Sequence, residues 1–164
     1  MSKKIVFLLL ALILPVLVFL FLKFYGKNEF TVEPLFQTGE VKLPAGCSTI
    51  QVPYIIPDST YFYLKREYET DSLLVIFYEG MTKDLDASDT QLRRLNESFR
   101  PGTRVSVKRM SGIDKWVECA LILHSPKDVV LLDNKRRIRG QYISEDRDDI
   151  DRLMMELDII LKRY

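Results

Sequence analysis

Soft-ligand and nucleophilic chemistry is sparse in this chain. It holds two cysteines, Cys47 and Cys119, and a single histidine, His124. Thiolates and an imidazole are donors suited to copper, and a pair of thiols is also the tool of redox exchange. Cys119 precedes His124 by five residues, which is not a ligand spacing on a helix, and Cys47 lies far off in a turn-like Pro44-Ala45-Gly46-Cys47. In an oxidising compartment an even pair suggests one disulfide. Two unpaired cysteines packed as small apolar residues fit the sequence equally well.

Other chemistry is thinner still. There is no G-x-S-x-G, no phosphate-cradling glycine loop and no zinc spacing. The acids of residues 144–151 (SEDRDDID) lack the D-x-D-x-D-G order and the glycine of a calcium loop, and read as a capped helix start. Lys135, Arg136, Arg137 and Arg139 form a basic run that is either a partner or anionic-headgroup surface or a solvated turn. Met154 and Met155 are adjacent, so only Met154 shares the core face of a helix there.

The first thirty residues place whatever chemistry remains. Residues 5–22 (IVFLLLALILPVLVFLFL) carry no charge, with Lys3 and Lys4 before them and Lys23 and Lys27 after. At about 1.5 Å per residue such a helix crosses most of a bilayer's hydrocarbon core. With no small-residue cleavage pattern after it, residues 1–27 read as an uncleaved signal anchor; a cleaved signal is the alternative. Pro15 is tolerable in a membrane helix. The short basic N-tail is expected to stay in the cytoplasm, which puts the rest on the periplasmic face of the inner membrane. Three of the 24 basic residues precede residue 25, leaving 21 against 23 acids, a near-neutral balance that argues against nucleic acid.

Residues 28–38 then read as a juxtamembrane linker and 39–164 as one exported domain with a single core. Residues 72–78 (SLLVIFY) are apolar throughout, as in a strand buried on both faces. Residues 86–99 have Leu92, Leu95 and Phe99 at helical spacing, stopped by Pro101-Gly102. Residues 104–108 (RVSVK) alternate as a strand. Ile113, Trp116, Val117, Ala120, Leu121 and His124 make a helical stripe over 113–123. A strand at 129–132, a turn at 133–135 and a returning strand at 136–142 form a hairpin. Ile150, Leu153, Leu157 and Ile160 mark a last helix whose N-terminal acids and C-terminal bases complement its dipole. A β-hairpin from residues 39–55 is expected to lead. The order β-α-β-α-β-β-α is that of an α/β, thioredoxin-like three-layer fold with a mixed central sheet, preceded by one transmembrane helix.

The tail VVLLDNKRRIRGQY followed by SEDRDDIDRLMMELDIIL resembles the end of Sco (SenC-type) proteins, which assist copper delivery to cytochrome c oxidase. Ile56-Pro57-Asp58 is similar to the segment that leads into the first core strand in the same and related families. The resemblance implies the thioredoxin-like fold. It also implies a C-x-x-x-C after the first core strand and a histidine before the hairpin, together binding copper. The matching window, Phe77 to Phe99, contains no cysteine, and Met81 is its one sulfur. His124 stands near the position of the family's histidine ligand and is the one candidate metal residue; a helix-end histidine bonded to carbonyls is the simpler reading. Beside this resemblance, the expected use of Cys47 and Cys119 is a disulfide tying the N-terminal hairpin to the short helix.

Three functions follow as expectations. The first is a non-enzymatic Sco-like accessory factor in respiratory-oxidase or copper-site assembly, partnered by a copper-binding Sco protein or an oxidase subunit. No cofactor is expected in it. The second is a copper or thiol-redox protein with a rearranged Cys47/Cys119/His124 site. The third is a structural envelope-complex module unrelated to copper.

Overall fold

In the computed structural model the described residues are 3–25, 31–66, 73–99, 104–112 and 114–161, with the side chains of 5–10, 22 and 25 outside that description. The chain divides into two compact units, Met1–Thr31 and Val32–Tyr164. In the first, the apolar run forms α1 (Lys3–Tyr25), a helix that continues through Pro15. Over the described residues alone, no helix is both long and apolar enough to cross a membrane.

The second unit is an α/β domain built on a four-stranded mixed sheet. Its elements are α2 (Asp58–Lys65), β1 (Leu73–Tyr78), α3 (Leu85–Ser98), β2 (Val105–Met110), α4 (Lys115–Leu121), β3 (Val129–Leu132), β4 (Ile138–Tyr142) and α5 (Arg147–Leu161). The strand order is β2-β1-β3-β4. β1 runs parallel to β2, with Val75 opposite Val107, and antiparallel to β3, with Val75 opposite Leu131. β3 pairs antiparallel with β4, and a bulge falls between Leu131 and Leu132.

β1 explains the architecture. All six of its residues are buried, so both faces of the sheet must be covered. Leu74, Ile76 and Tyr78 point into a core with Leu64 of α2 and Val117 and Leu121 of α4. Leu73, Val75 and Phe77 point the other way, into a core with Leu95 of α3 and Leu153 and Leu157 of α5. The period-2 alternation of a strand thus feeds two helical layers from one apolar run.

Residues 39–55 form no β-hairpin, a correction to the sequence expectation. No helix or strand occurs in residues 31–57, which run as an irregular strap. Pro44, Pro53 and Pro57 cannot donate to a ladder, and Gly39 and Gly46 turn at positive φ of 80° and 82°. The strap is tied by its ends instead. The Leu35 amide donates to Ile138 O (2.8 Å), Tyr54 N to Phe36 O (2.9 Å) and Ile56 N to Arg136 O (3.0 Å). Leu35 and Phe36 also pack on the core, so the stretch read as linker joins the folded unit from Val32 onward.

Helix α2 was absent from the sequence reading. Its residues, DSTYFYLK, look β-prone, yet Pro57 sits at the N-cap, Asp58 in the first turn, and Tyr61 and Leu64 are buried one turn apart. α4 is shorter than expected because Ile122 adopts the left-handed region at φ 51° and ends it. Trp116 leaves the buried stripe and is 45% exposed. Pro101, Gly102, Ile113 and the C-terminal bases Lys162 and Arg163 lie outside the described residues. The Ser125–Pro126 peptide ahead of β3 is cis, as is Val52–Pro53.

Candidate functional site

The connection from β1 to α3 is where the resemblance implies a thiol pair. A 3₁₀ turn over Glu79–Met81 leaves β1, and Asp84 caps α3 by accepting from Ala87 N at 3.0 Å. Met81 packs against the core. Between them the backbone amides of Lys83 and Asp84 both donate to Glu145 Oε2, at 3.2 and 3.0 Å. One carboxylate from the turn ahead of α5 therefore holds the loop.

Behind this loop lies a buried chain of hydroxyls. Thr82 Oγ1 and Ser88 Oγ are 2.8 Å apart, Ser88 Oγ and Ser144 Oγ 2.6 Å. Ser144 donates from its backbone N (2.7 Å) and its hydroxyl (2.5 Å) to the two oxygens of Asp128. Asp128 is fully buried, and desolvation holds its carboxyl above the usual range while the Ser144 hydrogen bonds pull it back. The network joins the ends of β3 and β4 to the start of α3 with its donors satisfied. Ser88, Asp128 and Ser144 are buried, and Thr82 is half-buried.

Cys47 and Cys119 are disulfide-bonded, with Cα atoms 5.4 Å apart. Cys47 closes a turn in which its amide donates to Pro44 O at 3.2 Å, and Cys119 lies on α4, so the bond straps the irregular segment to that helix. His124 Nε2 lies 2.9 Å from Lys42 O. A carbonyl only accepts, so Nε2 carries the proton and donates. Cys119 and His124 thus engage the same 42–47 stretch, the histidine through its ring at the Lys42 carbonyl. Among the described residues, no group of three or more His, Cys, Asp or Glu side chains is placed to hold a metal ion.

The basic run is largely engaged within the domain. Arg136 pairs with Asp58. Arg137 donates from Nε to Asp133 Oδ2 at 2.8 Å, and the amides of Lys135 and Arg137 each donate to Asp133 Oδ1 at 2.9 Å. Arg139 approaches the same buried carboxylate at 3.7 Å. Asp133 is thus the organising centre of the turn, and Lys135 keeps an exposed side chain.

Three features escaped the sequence reading. Gln141 is buried and donates from Nε2 to Leu121 O and Ile122 O, both at 2.9 Å, satisfying the last carbonyls of α4. Tyr54 OH donates to Ala120 O at 2.7 Å, and burial pushes that phenol up to about 12. Tyr78, at the end of β1, has a buried hydroxyl with no hydrogen-bond partner among the described residues. Burial and then the neighbouring Tyr63 raise its pKa. Near this end of the sheet Tyr63 stacks edge-to-face on Trp116, with ring centroids 5.1 Å apart. The adjacent aromatics Phe62 and Tyr63 were the one available signal for that cluster. Comparison with family models, with curated proteins and with solved structures finds no match for this chain.

Proposed function

We propose that this chain is a membrane-anchored, thioredoxin-like, Sco-like protein that works by binding, as an accessory factor in respiratory-oxidase or copper-site assembly. The anchor is α1, whose residues 5–22 are uncharged in sequence and flanked by lysines. The domain then lies on the periplasmic side. Strand order β2-β1-β3-β4, with β1 and β2 parallel and the hairpin antiparallel, supports the thioredoxin-like reading.

The observation that carries the accessory role is the fate of the thiols. The loop after β1 carries no cysteine and is held by Glu145, and the chain's two cysteines are bonded to one another, Cys47 in the strap to Cys119 on α4. Such a domain offers partners a rigid surface and no exchanging thiol. A strain lacking the gene tests it: oxidase copper content should fall, and the full chain, extracted in detergent, should copurify with a C-x-x-x-C Sco protein or an oxidase subunit. Normal copper content with neither partner bound sinks the proposal.

One observation favours a second reading. His124 binds the 42–47 stretch at Lys42 O and Cys119 binds it at Cys47, so reduction would free two thiols, one of them in the stretch the imidazole contacts. Titrating Cu(I) into the reduced full chain, with His124→Ala beside it, decides this: tight binding lost in the variant makes the protein a rearranged copper carrier.

A further inference from the structure

We infer that Arg139 is the centre of a binding site for a phosphate-class dianion, set at the β3–β4 turn beside Arg137. Arg139 is the bulged residue of β4. Leu132 pairs with Ile138 and Leu131 with Gly140, so the residue between them has no partner across the ladder. Its side chain is 11% exposed, and its Nε is buried with no hydrogen-bond partner among the described residues.

Asp133 explains that orphaned donor. Its buried carboxylate accepts from Lys135 N and Arg137 N on Oδ1, both at 2.9 Å. On Oδ2 it accepts twice from the Arg137 guanidinium, from Nε at 2.8 Å and from a terminal nitrogen at 2.7 Å. A carboxylate offers about four lone-pair sites, and these donors occupy them all. Arg139 therefore stops 3.7 Å from Oδ2, too far for a hydrogen bond. Two guanidiniums share one carboxylate, and the second is left with a buried charge and no acceptor. That state is costly, and an external oxyanion presenting two oxygens to the guanidinium fork relieves it.

Charge selects the ligand. Residues 133–139 (DNKRRIR) carry four bases and one acid. Asp58 of α2, paired with Arg136, is the one acid of another element in an ion pair with them among the described residues. The excess of two positive charges suits phosphate, which carries close to two negative charges at neutral pH, better than a monocarboxylate. Binding turns the Arg139 fork outward, and the ion pair this stretches is the 3.7 Å approach to Asp133. Exposed Lys135 and half-buried Arg137 stand on the same turn to share the charge.

The test follows the orphaned donor itself. The full chain, labelled with ¹⁵N at arginine and held in uncharged detergent, is titrated with inorganic phosphate. The Arg139 Nε–H resonance, identified by its loss in Arg139→Lys, should move to saturation, and sodium chloride at equal ionic strength should leave it in place. Phosphate should also raise the melting temperature. Arg139→Lys, which keeps the charge and loses the fork, should need about tenfold more phosphate for the same rise. A wild-type resonance that stays still, or that follows chloride equally, overturns the inference, as does a melting-temperature rise indifferent to Arg139→Lys. A second arm places the full chain in phosphatidylcholine nanodiscs with and without phosphatidic acid. Movement with phosphatidic acid in the absence of free phosphate supports the site and makes its ligand a lipid headgroup, whereas movement with free phosphate alone supports it and makes the ligand soluble.

Discussion

Gly140 and Tyr142 occupy one space on β4: a methyl group on Gly140 would lie 1.9 Å from the Tyr142 hydroxyl oxygen. The tyrosine ring folds back over the glycine, its hydroxyl donates to Glu156 Oε2 at 2.5 Å, and the Arg152 guanidinium stacks 5.1 Å from the ring centroid. The glycine and tyrosine of the RIRGQY tail are therefore a packing pair that docks α5 on the sheet. Gly140→Ala should destabilise the fold by about 1–3 kcal/mol, the usual cost of overpacking, read by urea denaturation. Gly140→Ala combined with Tyr142→Phe should remain destabilised, because the ring itself still meets the new methyl at 2.4 Å.

Cutting the disulfide should loosen the strap more than the sheet. Cys47 and Cys119 are 72 residues apart, a loop whose closure entropy corresponds to about 4 kcal/mol in the chain-entropy account. Cys47→Ser should lower the melting temperature, and reductant should lower that of the wild type by the same amount while leaving the variant unmoved. Hydrogen exchange should accelerate first in residues 41–50.

Asp128 gives the domain a distinctive pH dependence. Its carboxyl titrates above the ordinary 3.8 in the folded state, mainly through desolvation, so the native state holds a proton that the unfolded chain has already released. Stability from this group is therefore greatest at low pH and declines as pH climbs from the unfolded pKa through the raised folded one. Asp128→Asn keeps the shape and an acceptor for Ser144 N without the titration. Its stability relative to wild type should rise between pH 4 and about pH 7, measured by denaturation at both ends. A flat difference rejects the assignment.

Glu145 should prove to be the clamp of the β1–α3 loop. Replacing it with Ala removes the acceptor shared by Lys83 N and Asp84 N, at a cost of about 1 kcal/mol, since water can reach both amides. Those two amides should exchange markedly faster with deuterium, whereas those of β3 should not change. Glu145→Gln, which retains an acceptor oxygen, should stay close to wild type.

Much of the scaffold was legible from pattern. The unbroken apolar run that became β1 implied a strand covered on both faces, and the 3.6-residue spacing of Ile150, Leu153 and Leu157 implied α5. The VVLL–turn–IRGQY hairpin followed from the turn residues between its strands. Such elements are set by local periodicity, which is a property of the sequence itself. Helix α2 was not legible, because its aromatic residues favour strands and only burial of Tyr61 and Leu64 stabilises the helix.

By itself the sequence determined an apolar N-terminal helix, a near-neutral domain, the order of strands and helices from β1 to α5, and the lack of a thiol after β1. Tertiary structure decided what depends on residues distant in sequence meeting in space. It bonded Cys47 to Cys119, aimed His124 at Lys42 O, and assembled Thr82, Ser88, Asp128 and Ser144 into one network. It also turned Trp116 outward onto Tyr63. Periodicity assigns a residue to a face of its own element, but its partner depends on which other element the fold lays against that face.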